Sequence, residues 1–586
     1  MAITNKLIVN YQFDIIDRDF DFYEITTAEQ YIQRGAYILD KPNYELKAES
    51  VAFDDHKTLY VLYRKAAISK LNFVKAIGDK NLTIKQISSS NIKGYILFRL
   101  FLFSLNNYES QELTFNNITG KLYICKPNWI ARNKKVFKAL EIKVDSEINI
   151  AASAATFSLL SNFKNTKKLA ELPRYIFSNK NCALKRITTD DKGQEVYIKR
   201  ASFNKKANIS FFEFAPTTLR DNKVYYIYNI LDCLHRKFKK YLSFRFDEID
   251  LTKSIGHPKD VHFMRKALDK FKGFKLNFIN FVKEPEYSDD FSELVSCIVK
   301  DKIAEYTVSS HISSDGCNIV LIHNKDYYQE NEYPDPYKTF DRSEIIQCLS
   351  VEDSAYKVIE KNNSIIDTII KETVIKHDIL KFKHISLDDW QGFNFRTDWI
   401  FGRCAEDKAF FLIVHPDGEF DFVIKKNDFD TCGNPVLDNF ANILFDDAKK
   451  EKYIVSNGMD VCTITRTNRY ILPSNELFAL EQISRNKQSR QIYFSGVVDI
   501  NLFEPNKGEF YYNVGIKGSG MNTRIPNAPL LYKVEVVSGK NIIEDILATM
   551  SVTFVRYKYF TTVPYPFKYL NEFILMNREH GTTQES

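Results

Sequence analysis

Along the first 120 residues, short apolar runs alternate with polar turns. LIVNYQF, TLYVLY and GYILFRLFLF read as strands, which predicts a small α+β unit. KLYICKPNWI and ALEIKVDSEINIAASAATFSLL continue the strand pattern, with the clearest alternation at Leu140–Val144. From Pro173 to Asp250 comes a mixed module: EVYIKRASF and NISFFEF as strands, then a helix from Lys223 through Tyr241. After Asp260 helices and apolar strands alternate. FMRKALDKF is helical; FKLNFINFV, NIVLIHN and SEIIQCLS are strands; SIIDTIIKETVIK is a helix with apolar residues at helical spacing. Such alternation predicts an open α/β sheet with helices on its faces. Beyond Trp390 come DWIFGRC and AFFLIVHPDGEFDFVIK, the latter broken by a Pro-Asp-Gly turn. Further strands are YIVSN, VCTITRT, QIYFSGVVDINLF, EFYYNVGI and LLYKVEVV, then a helix from Ile542 to about Tyr559. VPYPF ends that helix and forces an extended exit. No fixed-period repeat is present, which argues against a solenoid or propeller.

Composition adds scale. The 586 residues are 44% hydrophobic and 14% aromatic, enough for several cores and about three to five domains. With only 20 Gly and 16 Pro, long flexible linkers are not expected. None of the nine Cys forms a CxxC pair, so zinc-ribbon and thioredoxin-like sites are disfavoured and a reducing, cytoplasmic setting is expected. The N-terminus lacks a basic segment followed by a long apolar stretch, so no signal peptide is expected. The most apolar window, Gly94 to Leu105, contains Arg99 and is too short to span a bilayer. The ten His show no HExxH or HxH spacing; His257 and His262, five apart, are a weak pair. Residues 120–275 hold 33 Lys and Arg against 15 Asp and Glu, a net of +18, whereas the whole chain is only +6. That segment is a candidate polyanion-facing region or a solvated lysine-rich surface. Arg236, Lys237, Lys239 and Lys240, at the end of the predicted helix, either complement its dipole or grip phosphates.

Five features, in order along the chain, carry a family resemblance. They are KLYICKPNWI with its following strands; NIVLIHNKDYYQENEYPDPYKTFDRSEIIQCLSVED; the helix with Lys371 and Lys376; the strand pair from Trp399 to Ile424; and IIEDILATMSVTFVRYKYFTTVPYPFKYLNEF. Together they resemble a prokaryotic Argonaute over nearly the whole chain, most specifically in the terminal VP-x-P segment and its flanking helices. The resemblance implies an α/β multidomain fold. Its expected parts are an N-terminal α+β domain (1–120), a first linker (121–165), a basic second-linker module (166–259), a Rossmann-like MID domain (260–390) and an RNase H-like PIWI domain (391–586). The span between Phe163 and Asp260 leaves room for one small module, so a PAZ domain is expected to be absent or reduced.

The resemblance also implies a site. Argonautes hold the 5′ end of a guide strand with an aromatic side chain on the first base and Lys and Gln side chains on its phosphate, chemistry that calls for stacking and charge-assisted donors. Here Tyr337, Lys338, Gln347 and Lys371 or Lys376 come in the family's order. Tyr337 and Lys338 are adjacent rather than a helical turn apart, which makes Tyr333 a second candidate aromatic. A Mg²⁺ ion at the 5′-phosphate is part of the same expectation. In the PIWI-like segment, Cys404 stands where the first metal-binding Asp is expected, and GMNTRIPNAP offers no carboxylate at the last position. The nuclease is therefore expected to be inactive, its metal ligands unknown. The expected partners are a short guide DNA or RNA, complementary invading DNA such as a plasmid or phage, and an effector such as a helicase–nuclease, with no membrane. The alternative is an active guide-directed nuclease with a rearranged set, Asp398, Asp407 and Asp499.

Overall fold

The computed structural model describes residues 2–27, 42, 45–55, 57–77, 82–107, 113–118, 120–130, 135–162, 172–187, 195–200, 209–213, 220–255, 269–299, 305–331, 333–341, 343–352, 364–386, 390–426, 431–446, 451–473, 500–514, 524–525, 527–551 and 561–577. They divide into two units. One contains Met1–Asp250 with the described parts of Asn468–Tyr493 and Gly520–Leu530; the other contains Leu251–Thr467 and the remaining C-terminal segments. The expected domain borders fare differently from the elements within them. The border at 120/121 cuts the hairpin Thr114–Ile118/Lys121–Cys125 at its turn. The border at 165/166 separates strands of one sheet, because Tyr197–Arg200 pairs with Ile150–Leu159. Backbone pairing thus joins both expected linkers into one seven-stranded antiparallel sheet.

In the first unit, Ala2–Tyr11 pairs with Leu242–Ile249, so strands about 240 residues apart in sequence close one ladder. GYILFRLFLF, expected as a strand, is a helix, Gly94–Phe103, with every residue from Ile96 to Phe103 buried except Arg99. A short run that is apolar on all sides carries no period, so burial on every face decides its conformation. The helix Lys223–Phe238 starts three residues after Arg220 because Asn222 caps it, accepting from the Tyr225 N–H. NISFFEF contributes only a two-residue strand, Phe212–Glu213.

The second unit holds a four-stranded parallel sheet in the order Glu305–Ser309, Lys275–Asn280, Cys317–Ile322, Ile345–Ser350. Numbered by sequence this is 2-1-3-4, a doubly wound arrangement whose connections reverse direction beside the first strand. Cys317–Ile322 is buried throughout, as expected for a strand covered on both faces. The same unit carries a nine-stranded sheet whose described pairings are antiparallel, including Trp399–Ala405 with Lys408–Val414 and Lys452–Ser456. The helices Ser288–Val299 and Pro435–Phe445 were not expected from the sequence pattern. The expected helix near 542–559 is described over Ile543–Met550, and Pro566 then occupies the first turn of Pro566–Met576. The expected FMRKALDKF helix and QIYFSGVVDINLF strand lie partly, and His257, His262 and Asp499 wholly, outside the described residues. Among the described residues no helix is long and apolar enough to cross a membrane.

One buried carboxylate fixes the terminal helix. Asp378 has no exposed surface and accepts from Lys270 Nζ at 2.5 Å, Ser386 Oγ at 2.6 Å and Tyr569 Oη at 2.8 Å. Lys270 also lies 3.9 Å from the centre of the Phe382 ring. Asp378→Ala leaves Lys270 and the Tyr569 hydroxyl without their acceptor. A loss of about 3–5 kcal/mol in unfolding free energy is expected from a denaturant titration.

Candidate functional site

Gln347 lies on Ile345–Ser350, which among the described residues pairs with a neighbour on one edge only. The helix Ser364–His377 packs along that strand. Glu372 and Lys376 are four residues apart and so share a helix face. Gln347 Nε2 donates to Glu372 Oε2 at 2.7 Å, and Lys376 Nζ donates to Gln347 Oε1 at 2.8 Å and to the Ile346 carbonyl at 2.7 Å. These groups border a cavity of about 280 Å³, with Tyr337 on one side and Glu572 and Met576 of the terminal helix on another. Tyr337 sits on the short turn Pro336–Lys338, whose N–H is held by Asp335 Oδ1 at 3.0 Å. Its ring is 54% exposed and so has surface to offer a stacking partner.

Three of the six expected anchoring residues therefore meet: Tyr337, Gln347 and Lys376. The other three do not line the cavity. Lys338 is exposed on the same turn, and Tyr333 is exposed with its ring 6.2 Å from Tyr327. Lys371 is buried at 6% exposure; one residue before Glu372 on the helix, it is turned about 100° from the cavity face. Sequence reasoning missed the carboxylates. Among the described residues, Asp341, Glu344, Glu372 and Glu572 line the space against a single lysine. Glu372 was legible as sharing the helix face of Lys376 at four-residue spacing, but Glu572 arrives from the far end of the chain. Burial pushes the Glu572 carboxyl up, opposed by Lys376 and reinforced by Glu372. A dianionic phosphate would not be held by this charge balance alone. The oxygen-rich lining fits a hard divalent cation, and Mg²⁺ commonly takes one or two carboxylates and completes its shell with phosphate oxygens and water. Glu372 and Glu572 are the residues that would hold it. Among the described residues no group of three His, Cys, Asp or Glu is placed to hold a metal by itself.

The basic helix end is tied into the fold rather than laid out as a phosphate row. Lys237 Nζ donates to the Ser104 carbonyl at 2.7 Å, and burial lowers its pKa. Lys240 pairs with Asp19 at 2.7 Å and Arg236 with Asp232 at 2.8 Å, while Lys239 is exposed. These partners are the Ser104 carbonyl and two carboxylates, not the last carbonyls of the helix itself. Cys404 lies near the end of Trp399–Ala405 and packs in the apolar cluster beneath Pro435–Phe445. Asp398 precedes that strand and Asp407 comes after it, in the two-residue turn where Glu406 and Asp407 both have positive φ. An extended strand of seven residues holds them roughly 23 Å apart, too far to share a metal. Asp398 instead bonds His415 Nδ1 at 2.9 Å, and this contact leads the upward shift of the imidazole.

A second polar cluster, which no sequence motif signalled, closes the carboxyl edge of the parallel sheet. His323 comes directly after Cys317–Ile322; its Nε2 lies 2.9 Å from Glu284 and its Nδ1 2.5 Å from Glu352. The Tyr327 ring stacks on it at 3.6 Å, and the Tyr327 hydroxyl donates to Glu284 at 2.5 Å. Carboxylates that lie beyond the first and fourth strands thus meet a His that lies beyond the third. The Tyr327 hydrogen bond, then His323, lowers Glu284 to about 2.

No family model matches the sequence, and no curated protein matches it. Solved structures do. Kluyveromyces polysporus Argonaute, in a crystal structure with a guide RNA, aligns over 98% of this chain and 93% of its own, at 10% identity and a TM-score of 0.49. A. aeolicus Argonaute aligns over 99% of this chain and 98% of its own, at 9% identity and a TM-score of 0.40.

Because Glu284 is depressed below the ordinary Glu value of 4.5, its contribution to stability is present above that pH and is lost as pH falls toward 2. Glu284→Gln should therefore lower the melting temperature at pH 7, and the gap to the parent protein should narrow as the pH drops below about 4.5.

Proposed function

We propose that this chain anchors the 5′-phosphorylated end of a short guide strand, DNA or RNA, and uses that guide to recognise complementary invading DNA. The observation that carries the proposal is the convergence of Tyr337, Gln347 and Lys376 on one cavity beside the parallel sheet. These are the side-chain types that the Argonaute resemblance assigns to the first base and its phosphate. The aromatic ring supplies a stacking face, Lys376 supplies a cation, and the Gln347 amide fixes the lysine's position. The excess of carboxylates supports a site that takes phosphate together with Mg²⁺, which when bound would supply the missing positive charge.

The same proposal takes residues 391–586 as a nuclease-inactive PIWI domain. Cys404 is a soft donor among apolar neighbours, whereas Mg²⁺ takes oxygen ligands. The separation of Asp398 from Asp407 weighs against the rearranged carboxylate set. A protein that binds without cutting passes its target on, so an effector such as a helicase–nuclease belongs to the proposal, as in plasmid-defence systems built around an inactive Argonaute-like subunit.

In Mg²⁺ the protein should bind 5′-phosphorylated oligonucleotides more tightly than 5′-hydroxyl ones, and EDTA should remove the difference. Lys376→Ala should weaken the phosphorylated strand by about 1.5–3 kcal/mol, roughly ten- to a hundredfold. Equal affinity for the two strand ends, or an unchanged Kd in Lys376→Ala, would remove the basis for this site. With guide and matched target in Mg²⁺ or Mn²⁺, intact target should be recovered. Guide-dependent cleavage that Asp499→Ala abolishes would establish the active-nuclease reading instead.

A further inference from the structure

A larger cavity, of about 550 Å³, lies wholly within the first unit and has no part in the anchor site. Its volume falls in the range of small-ligand pockets. The floor is the start of strand Ile150–Leu159, where Ala151, Ala152 and Ser153 leave the space open. Helix Gly94–Phe103 gives Arg99, and the first residue of helix Lys223–Phe238 gives Lys223. Lys121 and Lys143 come from neighbouring strands.

Charge in this space is not balanced. Arg99, Lys121, Lys143 and Lys223 face Glu141 and Asp145, so the lining carries 4 − 2 = +2 among the described residues. Glu141 is largely taken by Lys199 at 2.5 Å, with Lys121 at 3.9 Å. Asp145 accepts from the Asn149 N–H and side-chain amide, both at 2.9 Å, and from Asn468 at 3.1 Å. The Arg99 guanidinium donates to the Phe53 carbonyl at 2.9 Å and to the Val144 carbonyl, neutral acceptors that leave its charge in place. Lys223 pairs with no carboxylate among the described residues, and burial lowers its pKa, as it does for Arg99 and Lys121.

A second, independent feature lies on the same wall. Asn149 is 4% exposed, and its Oδ1 is buried with no hydrogen-bond partner, although its amide nitrogens are both used. Aromatic surface from Phe53 and Phe211 borders the space beside these polar groups.

We infer that this cavity is a nucleotide site, in which the cationic wall takes a phosphate monoester and the aromatic surface of Phe53 and Phe211 meets the base. A phosphate monoester carries about −1.5 to −2 at neutral pH, which matches the uncompensated charge. The nucleotide comes either free or as the terminal unit of a strand, and the chemistry at the cavity is the same.

The test uses the full chain carrying Lys376→Ala, so that the anchor cavity does not contribute. AMP, ATP and a short phosphorylated oligonucleotide are titrated by calorimetry, then repeated with Lys223→Gln or with Ala152→Phe, which fills the floor. Binding of the mononucleotides identifies a free nucleotide as the ligand; binding of the oligonucleotide alone identifies a strand end. In either case Lys223→Gln should weaken binding by about tenfold or more, as expected for a lost charged contact. Ala152→Phe should abolish binding while the melting temperature stays near that of the parent. If that variant does not fold, Lys223→Gln decides. The inference is overturned if none of the three probes binds at millimolar concentration, or if Lys223→Gln leaves binding unchanged.

Discussion

The anchor cavity depends on a carboxylate that does not touch it. Asp378 comes directly after the helix that carries Glu372 and Lys376, and it receives the Tyr569 hydroxyl from the terminal helix. Glu572 and Met576, which close the cavity, lie on that terminal helix. A buried carboxylate is tolerated only when its lone pairs are met, and here a lysine, a hydroxyl, a phenol and a backbone N–H meet them. One buried charge therefore holds two distant helices in a single arrangement. Between them lies a shaped space in which an amide, a lysine and several carboxylates sit at defined separations.

The polar clusters of the second unit occupy different edges of one sheet. The His323 network ties the carboxyl ends of three parallel strands and leaves its hydrogen-bonding groups satisfied within the protein. The cavity around Gln347 lies along the open edge and has carboxylates in excess of its one lysine. The seven-stranded sheet of the first unit adds a third kind of place, one with cations in excess and an orphaned acceptor.

Much of the element pattern was legible because the strands around Leu140, Val320 and Phe411 are strongly apolar and bounded by turn residues. The helix Gly94–Phe103 was not, because a run apolar on every face has no period to read. The expected domain borders followed the family resemblance, whereas strand pairing joins Thr114–Ile118 with Lys121–Cys125, and the 174–200 strands with Ile150–Leu159, across them. Within the site, the family resemblance named Tyr337, Gln347 and Lys376. It also named Lys338, Lys371 and Tyr333, since residue type and order say nothing about which way a side chain faces. Lys371 and Lys376 share a helix, yet only the second lies on the face turned to Gln347. Glu572 was out of reach for any local reading, since more than 200 residues separate it from Gln347.

The central claim is that the first nucleotide of a guide lies against Tyr337. It is tested most directly by photocrosslinking an oligonucleotide with 5-iodouridine at its phosphorylated 5′ end and mapping the modified peptide by mass spectrometry. The account predicts a crosslink to the peptide containing Tyr337, lost when the iodouridine is moved to the 3′ end. A 5′-end crosslink that maps outside the segments lining this cavity, with the Tyr337 peptide unmodified, would contradict it.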